Sequence, residues 1–466
     1  MRIQVSAATA VIAVTAVTAV TTVTRRLLPA LILATLASPP AFADDLLQLF
    51  REARQKDASI LSAKFGWEAT QERVPQAQAG LLPQVSISGG ASYQLNDFTT
   101  SSGPNFPKTA QSNSNFAANA SVSASQPLYR RANVIVLNQA RIQVAQANFT
   151  LQSADQDLAL RLSQAYFDVL LAQDTLAFVG SQKAATGESL AQARRNFEVG
   201  TATITDTNEA QARYDQIVAL EISALNDIEI KRRAIEVIIG RSAPSLKPLA
   251  ANPLLEVPSP LSLDAWASRA ELDNLSIQVA KAALDIATLE VDRNRAAREP
   301  VVDLVGSITR QETNGLSHSF PGLTGRQGVI GVQVSMPLYT SGLIDSRVRE
   351  ALATRERARQ DLEAARRTAA QSARTSYLNV SNGIAQVKAL QQAVTSANVA
   401  LDSSKLGMEV GVRTNVDVLN AQQLVFSARR DLARARYDVI TNTLRLKAAV
   451  GALTDLDLEQ VNRVLL

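Results

Sequence analysis

The sequence predicts a mainly α-helical fold with a small β part, arranged as two repeats of about 200 residues each. Three observations lead to this fold class. Two stretches of 67 residues, at 132–198 and 343–409, contain no proline. Two pairs of shorter segments alternate apolar and polar residues, and the same order of segments occurs twice along the chain. The first observation predicts very long helices, the second predicts β-hairpins, and the third predicts a duplication.

Residues 1–43 have the features of an export signal that is removed from the mature protein. Arg25 and Arg26 precede the apolar stretch 27–37, and Ala41-Phe42-Ala43 forms a small-x-small cleavage site before two aspartates. A membrane anchor is the alternative, which we disfavour because acidic residues and an amphipathic helix follow this site at once. Beyond residue 43, no apolar run of about 18 residues is free of charge, so we expect no transmembrane helix.

The composition excludes several functional classes. The chain has 47 basic and 43 acidic residues, and three of the basic ones lie within residues 1–43, so the remainder is close to neutral. This balance does not indicate a nucleic-acid binder. The absence of cysteine excludes disulfides, thiolate metal sites and a lipid-modified cysteine. Because His318 is the one histidine and no phosphate-binding glycine-rich loop occurs, we expect no enzyme, no cofactor and no metal site.

Two matching motifs reveal the duplication. Residues 197–206 match residues 408–417 at an offset of 211, and residues 126–129 match residues 336–339 at an offset of 210. The period is too long for an ordinary solenoid and indicates a duplicated half. We therefore divide the mature chain into a first repeat at 44–243, a proline-rich connector at 244–260, a second repeat at 261–454 and a C-terminal tail at 455–466.

Each repeat begins with short helical stretches and continues with a predicted β-hairpin, at about 84–126 in the first repeat and about 301–336 in the second. In the first hairpin, Val85 and Ile87 alternate with Ser86 and Ser88, which gives each strand one apolar and one polar face. Prolines stand just before and near the end of both hairpins, where the chain changes between helix and strand.

After each hairpin the sequence predicts a pair of helices, at about 132–198 and 207–239 and again at about 343–409 and 418–450. A helix of 67 residues reaches about 100 Å, so it cannot be hidden in a globular core and must pack along its length. In the last helix, Val418, Val425, Leu432, Val439 and Leu446 are seven residues apart, which is typical of a coiled-coil seam.

Four strands cannot close a barrel by themselves, and an open sheet edge in lipid leaves backbone groups without hydrogen bonds. If the strands face a bilayer, several chains must contribute to one barrel. Two chains supply eight strands around a filled interior, and three chains supply twelve strands around a lumen. Two alternatives stay open on the residues alone: a sheet whose apolar face covers a soluble core, and a periplasmic coiled-coil scaffold, which would leave the hairpins unexplained.

The duplicated halves, the hairpins between prolines, the Pro-Leu-Tyr motif before each long helix and the turn at residues 411–421 resemble the TolC family of outer-membrane efflux proteins. The resemblance covers nearly the whole mature chain. It implies a homotrimer in which a twelve-stranded outer-membrane β-barrel, with four strands per chain, continues into a twelve-helix periplasmic α-barrel. The helices that begin each repeat and the connector would form a girdle around its equator.

The resemblance also implies a function and partners. The chain would conduct substrates passively through the outer membrane, in contact with its lipid and with a large part in the periplasm. It would receive them from an inner-membrane pump of the RND, ABC or MFS type through a periplasmic adaptor protein. The exported substrates would be small drugs, a secreted protein or both.

A gate is implied near the second turn. Asp417 matches a position that faces the lumen at the constriction, and Asn420 stands one helical turn on, where the family often has a second acid. Arg413 matches a position that ties neighbouring hairpins together, with Asp206 as its expected acceptor, and Met408 stands where relatives can have a tyrosine. From the residues alone, both aspartates are also explained as caps of helix N-termini, and for Asp206 this is the better explanation.

The two glycine turns are the expected contacts with the adaptor. Gly200 and Gly411 lie between the helices of each long pair. Glycine leaves the backbone bare where another helix tip could approach, and it also permits a turn with positive φ. Both interpretations can hold together.

Overall fold

The computed structural model describes residues 44–100, 109–250, 253–314 and 322–465. The expected signal peptide at 1–43 lies outside the described residues, as does His318. The first repeat consists of three short helices, a hairpin and two long helices. Their bounds are α1 Leu46–Lys56, α2 Ala58–Gln71, α3 Arg73–Ala79, β1 Gln84–Thr100, β2 Thr109–Tyr129, α4 Arg131–Glu198 and α5 Ile204–Ile239.

The second repeat has the same order with two short helices instead of three. Its elements are α6 Leu263–Asp273, α7 Leu275–Ala296, β3 Val301–Thr313, β4 Leu323–Ser335, α8 Leu343–Glu409 and α9 Asn415–Ala449. A last helix, α10 Asp455–Asn462, occupies most of the segment that the sequence assigns to the tail.

The shorter helix of each long pair begins three residues before its predicted start. Helix α5 begins at Ile204 instead of residue 207, and α9 begins at Asn415 instead of residue 418. The reason is local, because Thr203 and Thr414 are N-caps whose side-chain oxygens accept from the third backbone N–H of the helix. Strand β2 extends beyond the predicted residue 126 to Tyr129, with a register irregularity at Pro127, which has no N–H to donate.

The four strands form one antiparallel sheet in the order β1-β2-β3-β4. Ile87 pairs with Val122, and Val122 pairs with Ile308, so apolar side chains of three strands share one row. Strands β1 and β4 are the two edges and are paired on one side only within the chain.

The apolar face of the sheet is uncovered in a single chain. Ile87 on β1 is 81% exposed and Ile330 on β4 is 82% exposed. An exposed apolar face between two free edges fits a sheet whose face meets lipid and whose edges meet other copies of the chain. Across residues 44–100, 109–250, 253–314 and 322–465, none of the helices has a stretch apolar enough to serve as a membrane span.

The helices run side by side away from the sheet. Helix α4 is 68 residues long and contacts α5 and α9 over its far part and α7 over the part near the sheet. The largest core lies midway along α4, where Leu46 of α1, Phe167 of α4, Ile239 of α5, Tyr437 of α9 and Leu458 of α10 meet. The heptad seam of α9 is mostly buried, as its spacing predicts, with Leu432 only half-buried.

Candidate functional site

The candidate site lies at the ends of the long helices farthest from the sheet, where the chain turns from α4 to α5 and from α8 to α9. Gly200 and Gly411 both have a φ of +78°, a conformation that strains most residues with a Cβ atom. A Cβ added at either glycine would meet no atom within 4 Å. The turns therefore favour glycine for its backbone conformation, and the space around both glycines is open.

Both turns end in the same capping box. The Asp206 carboxylate accepts from the backbone N–H of Thr203 at 3.0 Å and from its hydroxyl at 2.8 Å. The Asp417 carboxylate accepts from the same two groups of Thr414, each at 2.9 Å. These hydrogen bonds, together with the nearby Arg413 charge, lower the pKa of Asp417 below its ordinary value. Asp417 is therefore an anion at neutral pH.

Arg413 pairs within its own turn. Its guanidinium Nη1 lies 3.9 Å from the Asp417 carboxylate. The stem of Arg413 lies against Gly407, where an added Cβ would come within 2.7 Å of Arg413 Cγ. Asp206 accepts from Thr203, and no described contact joins it to Arg413, so their tie between neighbouring hairpins stays a prediction for the assembled trimer. Met408 is half-buried, and its carbonyl accepts from the Gly411 N–H at 3.1 Å.

A small apolar contact joins the two tips of one chain. Leu419 of α9 is 5% exposed and packs with Leu190 and Ala193 of α4 and with Ala210 of α5. We did not predict this contact, although the sequence carries a signal for it. Leu419 is a large apolar residue beside the seam position Val418, so α9 has a second apolar face that needs a second partner.

Polar side chains border this contact. Arg213 of α5 donates from Nη2 to Asn420 Oδ1 at 3.2 Å and from Nη1 to Gln423 Oε1 at 3.3 Å. Gln422, which is buried, donates to Ser189 Oγ at 3.4 Å. The sequence gives no signal for the pairing of Arg213 with Asn420, because 207 positions separate the two residues.

The structure thus places the predicted gate residues around two adjacent tips. Arg413 and Asp417 lie in one turn, and Asn420 contacts the first hairpin through Arg213. In the described part of the chain, no group of three or more histidine or acidic side chains could hold a metal ion.

Comparisons with known proteins agree with this architecture. The model of the family described as "Outer membrane efflux protein" matches residues 49–241 and 266–452. The outer membrane protein TolC of Vibrio cholerae serotype O1 is 32% identical over 441 residues, which cover 94% of this chain and 98% of that protein. The proteases secretion protein PrtF of Dickeya chrysanthemi is 29% identical over 92% of this chain and 93% of its own length.

A solved structure has the same fold at lower identity. The outer membrane protein VceC from Vibrio cholerae superposes with a TM-score of 0.72 at 18% identity, covering 87% of this chain and 96% of that one. This likeness confirms the predicted fold class, in which four strands and long helices of each chain contribute to a trimeric barrel and tunnel.

The family resemblance noted in the sequence is therefore confirmed, together with the expected location in the outer membrane and the passive role without enzymatic activity. Channels of this family are trimeric and work with an adaptor and an inner-membrane pump. Because the family model matches more than half of the chain and one relative is 32% identical across nearly its whole length, this chain belongs to the outer membrane efflux protein family, whose members are channels for efflux and type I secretion.

Proposed function

We propose that the two helical tips form the periplasmic gate of this channel and that they meet the adaptor. The observation that carries this proposal is the position of the tips. They lie side by side at the far end of helices whose other end joins the apolar sheet, and one small cluster around Leu419 holds them together. About 100 Å of helix separates the tips from the strands, so they are the part of the chain that can reach partners across the periplasm.

Asp417 is the proposed electrostatic element of the gate. In a trimer, three copies of this carboxylate surround one axis wherever the tunnel narrows. Three negative charges around a narrow pore favour cations and can bind a multivalent cation that blocks the pore. Because Asn420 is neutral, we propose one acidic ring instead of two and therefore a weak block.

The Arg413–Asp417 pair is proposed to hold each tip in its closed form. The pair is exposed, so by itself it contributes little to stability. A weak pair suits a gate. An adaptor that binds the open form of the tips more tightly than the closed form then needs only a modest difference between these two affinities to shift the population.

We infer that the pump is of the RND, ABC or MFS type and that the substrates are small drugs, a secreted protein or both. Support comes from relatives of both kinds, one with protease secretion in its name and another described as an efflux protein. Deleting the gene and comparing the secreted proteins and the drug susceptibility of the strain distinguishes the two substrate classes.

Planar bilayer recordings of the purified trimer test the gate. Asp417→Ala should reduce cation selectivity and block by hexaamminecobalt(III), and Arg413→Ser should raise conductance. Wild-type values in both variants would refute the gate, and assembly is checked by the yield of detergent-extracted trimer.

A further inference from the structure

We propose that Arg213 is a determinant of ion selectivity at this gate, because its guanidinium crosses from the first hairpin to Asn420 of the second and places a positive charge beside the acidic ring. The proposal rests on the proposed position of Asp417 and Asn420 at the constriction. It adds a residue from the other hairpin, and its chemistry is that of a cation held between two neutral amides.

The geometry places Arg213 at the seam between the tips. It lies on α5 one residue before Tyr214, which packs on the apolar cluster around Leu419. Its two hydrogen bonds reach Asn420 and Gln423, which are three residues apart on one face of α9. A planar guanidinium that spans two positions of a neighbouring helix fixes how the two helices lie against each other.

The charge of Arg213 is not neutralised within the described part of the chain. Both of its acceptors are side-chain amide oxygens, and no ion pair with a described carboxylate accompanies them. Arg413, by contrast, lies near Asp417 and offsets part of its charge. The side chain of Arg213 is half-buried, so solvent screens it less than a fully exposed arginine.

The contact with Asn420 places the charge of Arg213 near the proposed pore. Asn420 stands three residues after Asp417 on the same helix, which places the two on neighbouring turns of one face. The gate of a trimer would then contain three carboxylates and, one turn on, three guanidinium groups. Opposite charges in successive layers reduce the preference for cations, and the inter-hairpin hydrogen bonds hold the tips together.

Replacement of Asn420 by aspartate distinguishes a gate with Arg213 beside residue 420 from a gate that has only the acidic ring of Asp417. If Arg213 lies beside residue 420, the new carboxylate forms an ion pair with it, and Asn420→Asp should leave block by hexaamminecobalt(III) near the wild-type value. In an Arg213→Gln background the same change adds a second, uncompensated acidic ring, and affinity for this trivalent cation should rise about ten-fold or more. Arg213→Gln alone should raise cation selectivity and conductance.

Arg429→Gln is the matched control. Arg429 also donates to an asparagine, Asn398 at 3.1 Å, but this bond joins α8 and α9 within one hairpin. The control removes the same charge and the same kind of hydrogen bond, and it should leave reversal potential and block unchanged.

The recordings use the full-length trimer in a KCl gradient, with reversal potential, conductance and block measured for each variant. A change of block by Asn420→Asp that is equal with and without Arg213 would overturn the proposal. If Asp417→Ala alters block and Arg213→Gln alters nothing, this inference fails while the proposed gate stands. If Asp417→Ala does not change block, the proposed gate is refuted, and the inference about Arg213 is refuted with it.

A cross-linking measurement in cell membranes tests the contact between Arg213 and Asn420 when the charge variants yield too little trimer for recordings. The chain has no cysteine, so Arg213→Cys with Asn420→Cys introduces two thiols and no others. A short bifunctional thiol reagent applied to cell membranes should link them within one chain, which changes the mobility of the denatured protein. No link in properly inserted protein would contradict the contact.

Discussion

The guanidinium of Arg130 donates to the carboxylate of Asp303 through two parallel hydrogen bonds, at 2.8 Å from Nε and 2.5 Å from Nη2. Arg130 stands between β2 and α4 in the first repeat, and Asp303 lies near the start of β3 in the second. This pair joins the two repeats where the sheet changes into helices. Its fork geometry is the strong, directional form of an ion pair.

We predict that Arg130→Gln destabilises the trimer by about 1–3 kcal/mol per chain, because Asp303, whose side chain is 12% exposed, loses two charged donors. The adjacent Arg131→Gln removes a more exposed pair with Glu299 and should cost less than about 1 kcal/mol. Melting of the detergent-extracted trimer, followed by circular dichroism, compares the two. Equal melting temperatures for both variants would contradict the prediction.

We predict that cation block at the gate persists at acidic pH. Within one chain, the hydrogen bonds from Thr414 and the Arg413 charge lower the pKa of Asp417 below its ordinary value of 3.8. We expect this lowering to offset the mutual repulsion of three carboxylates in the trimer, so that the ring stays charged at mildly acidic pH. Block by hexaamminecobalt(III) should therefore be unchanged between pH 7 and pH 5 and decline only below about pH 4. The same shift makes the capping box stabilising above pH 4, and this contribution is lost as the pH falls through the lowered pKa. Loss of block already near pH 6 would assign it to another group.

We predict different outcomes for two replacements of Gly411. Asparagine tolerates a positive φ, whereas valine does not, and the space around Gly411 accepts either side chain. If the glycine serves only the turn, Gly411→Asn keeps export and Gly411→Val loses it. If the adaptor needs a bare backbone here, both variants lose export while trimer yield stays normal. Export measured in a deletion strain decides between the two roles, and normal export by both variants would exclude both.

We predict that Leu419→Ala loosens the two hairpins of each chain. Removing a buried leucine costs about 2–5 kcal/mol, and here the lost packing lies between the hairpins. Bilayer recordings should show higher conductance or more frequent opening. Leu424→Ala, at a residue that is exposed in the chain, is the control and should behave as wild type. Unchanged recordings for Leu419→Ala would show that this cluster does not hold the tips.

We predict that Tyr437→Phe destabilises the core midway along α4 and that Asp174→Asn relieves the loss. Tyr437 donates to the Asp174 carboxylate at 2.7 Å and stacks near Phe167. Phenylalanine keeps the ring but leaves Asp174 without this donor, at a cost of about 1–3 kcal/mol. Burial raises the pKa of Asp174, so the ionised carboxylate destabilises the folded state at pH values above that pKa. The Tyr437→Phe variant should therefore regain stability as the pH falls and Asp174 becomes protonated. Melting temperatures at pH 8 and pH 5 measure both effects, and a pH-independent loss would contradict the mechanism.

The helices, the hairpins and their duplication could be predicted from the amino-acid sequence. These features are local. An alternation of two along a strand and a heptad along α9 each reflect which side of one element is apolar, and a proline-free stretch allows an uninterrupted helix. The role of Asp417 as a helix cap could also be predicted from the sequence, because a threonine three residues before an aspartate is the signature of a capped helix start.

The way in which the two hairpins meet could not be predicted, because it depends on long-range packing. The contacts of Leu419 with α4 and α5, and of Arg213 with Asn420, join residues about 200 positions apart that share no pattern along the chain. Their pairing depends on the rotation and offset of four long helices, which the packing of the whole core sets and which a periodicity within one helix cannot contain. The pairing of Arg130 with Asp303 at the base of the sheet is unpredictable for the same reason, because the two residues lie far apart in the sequence.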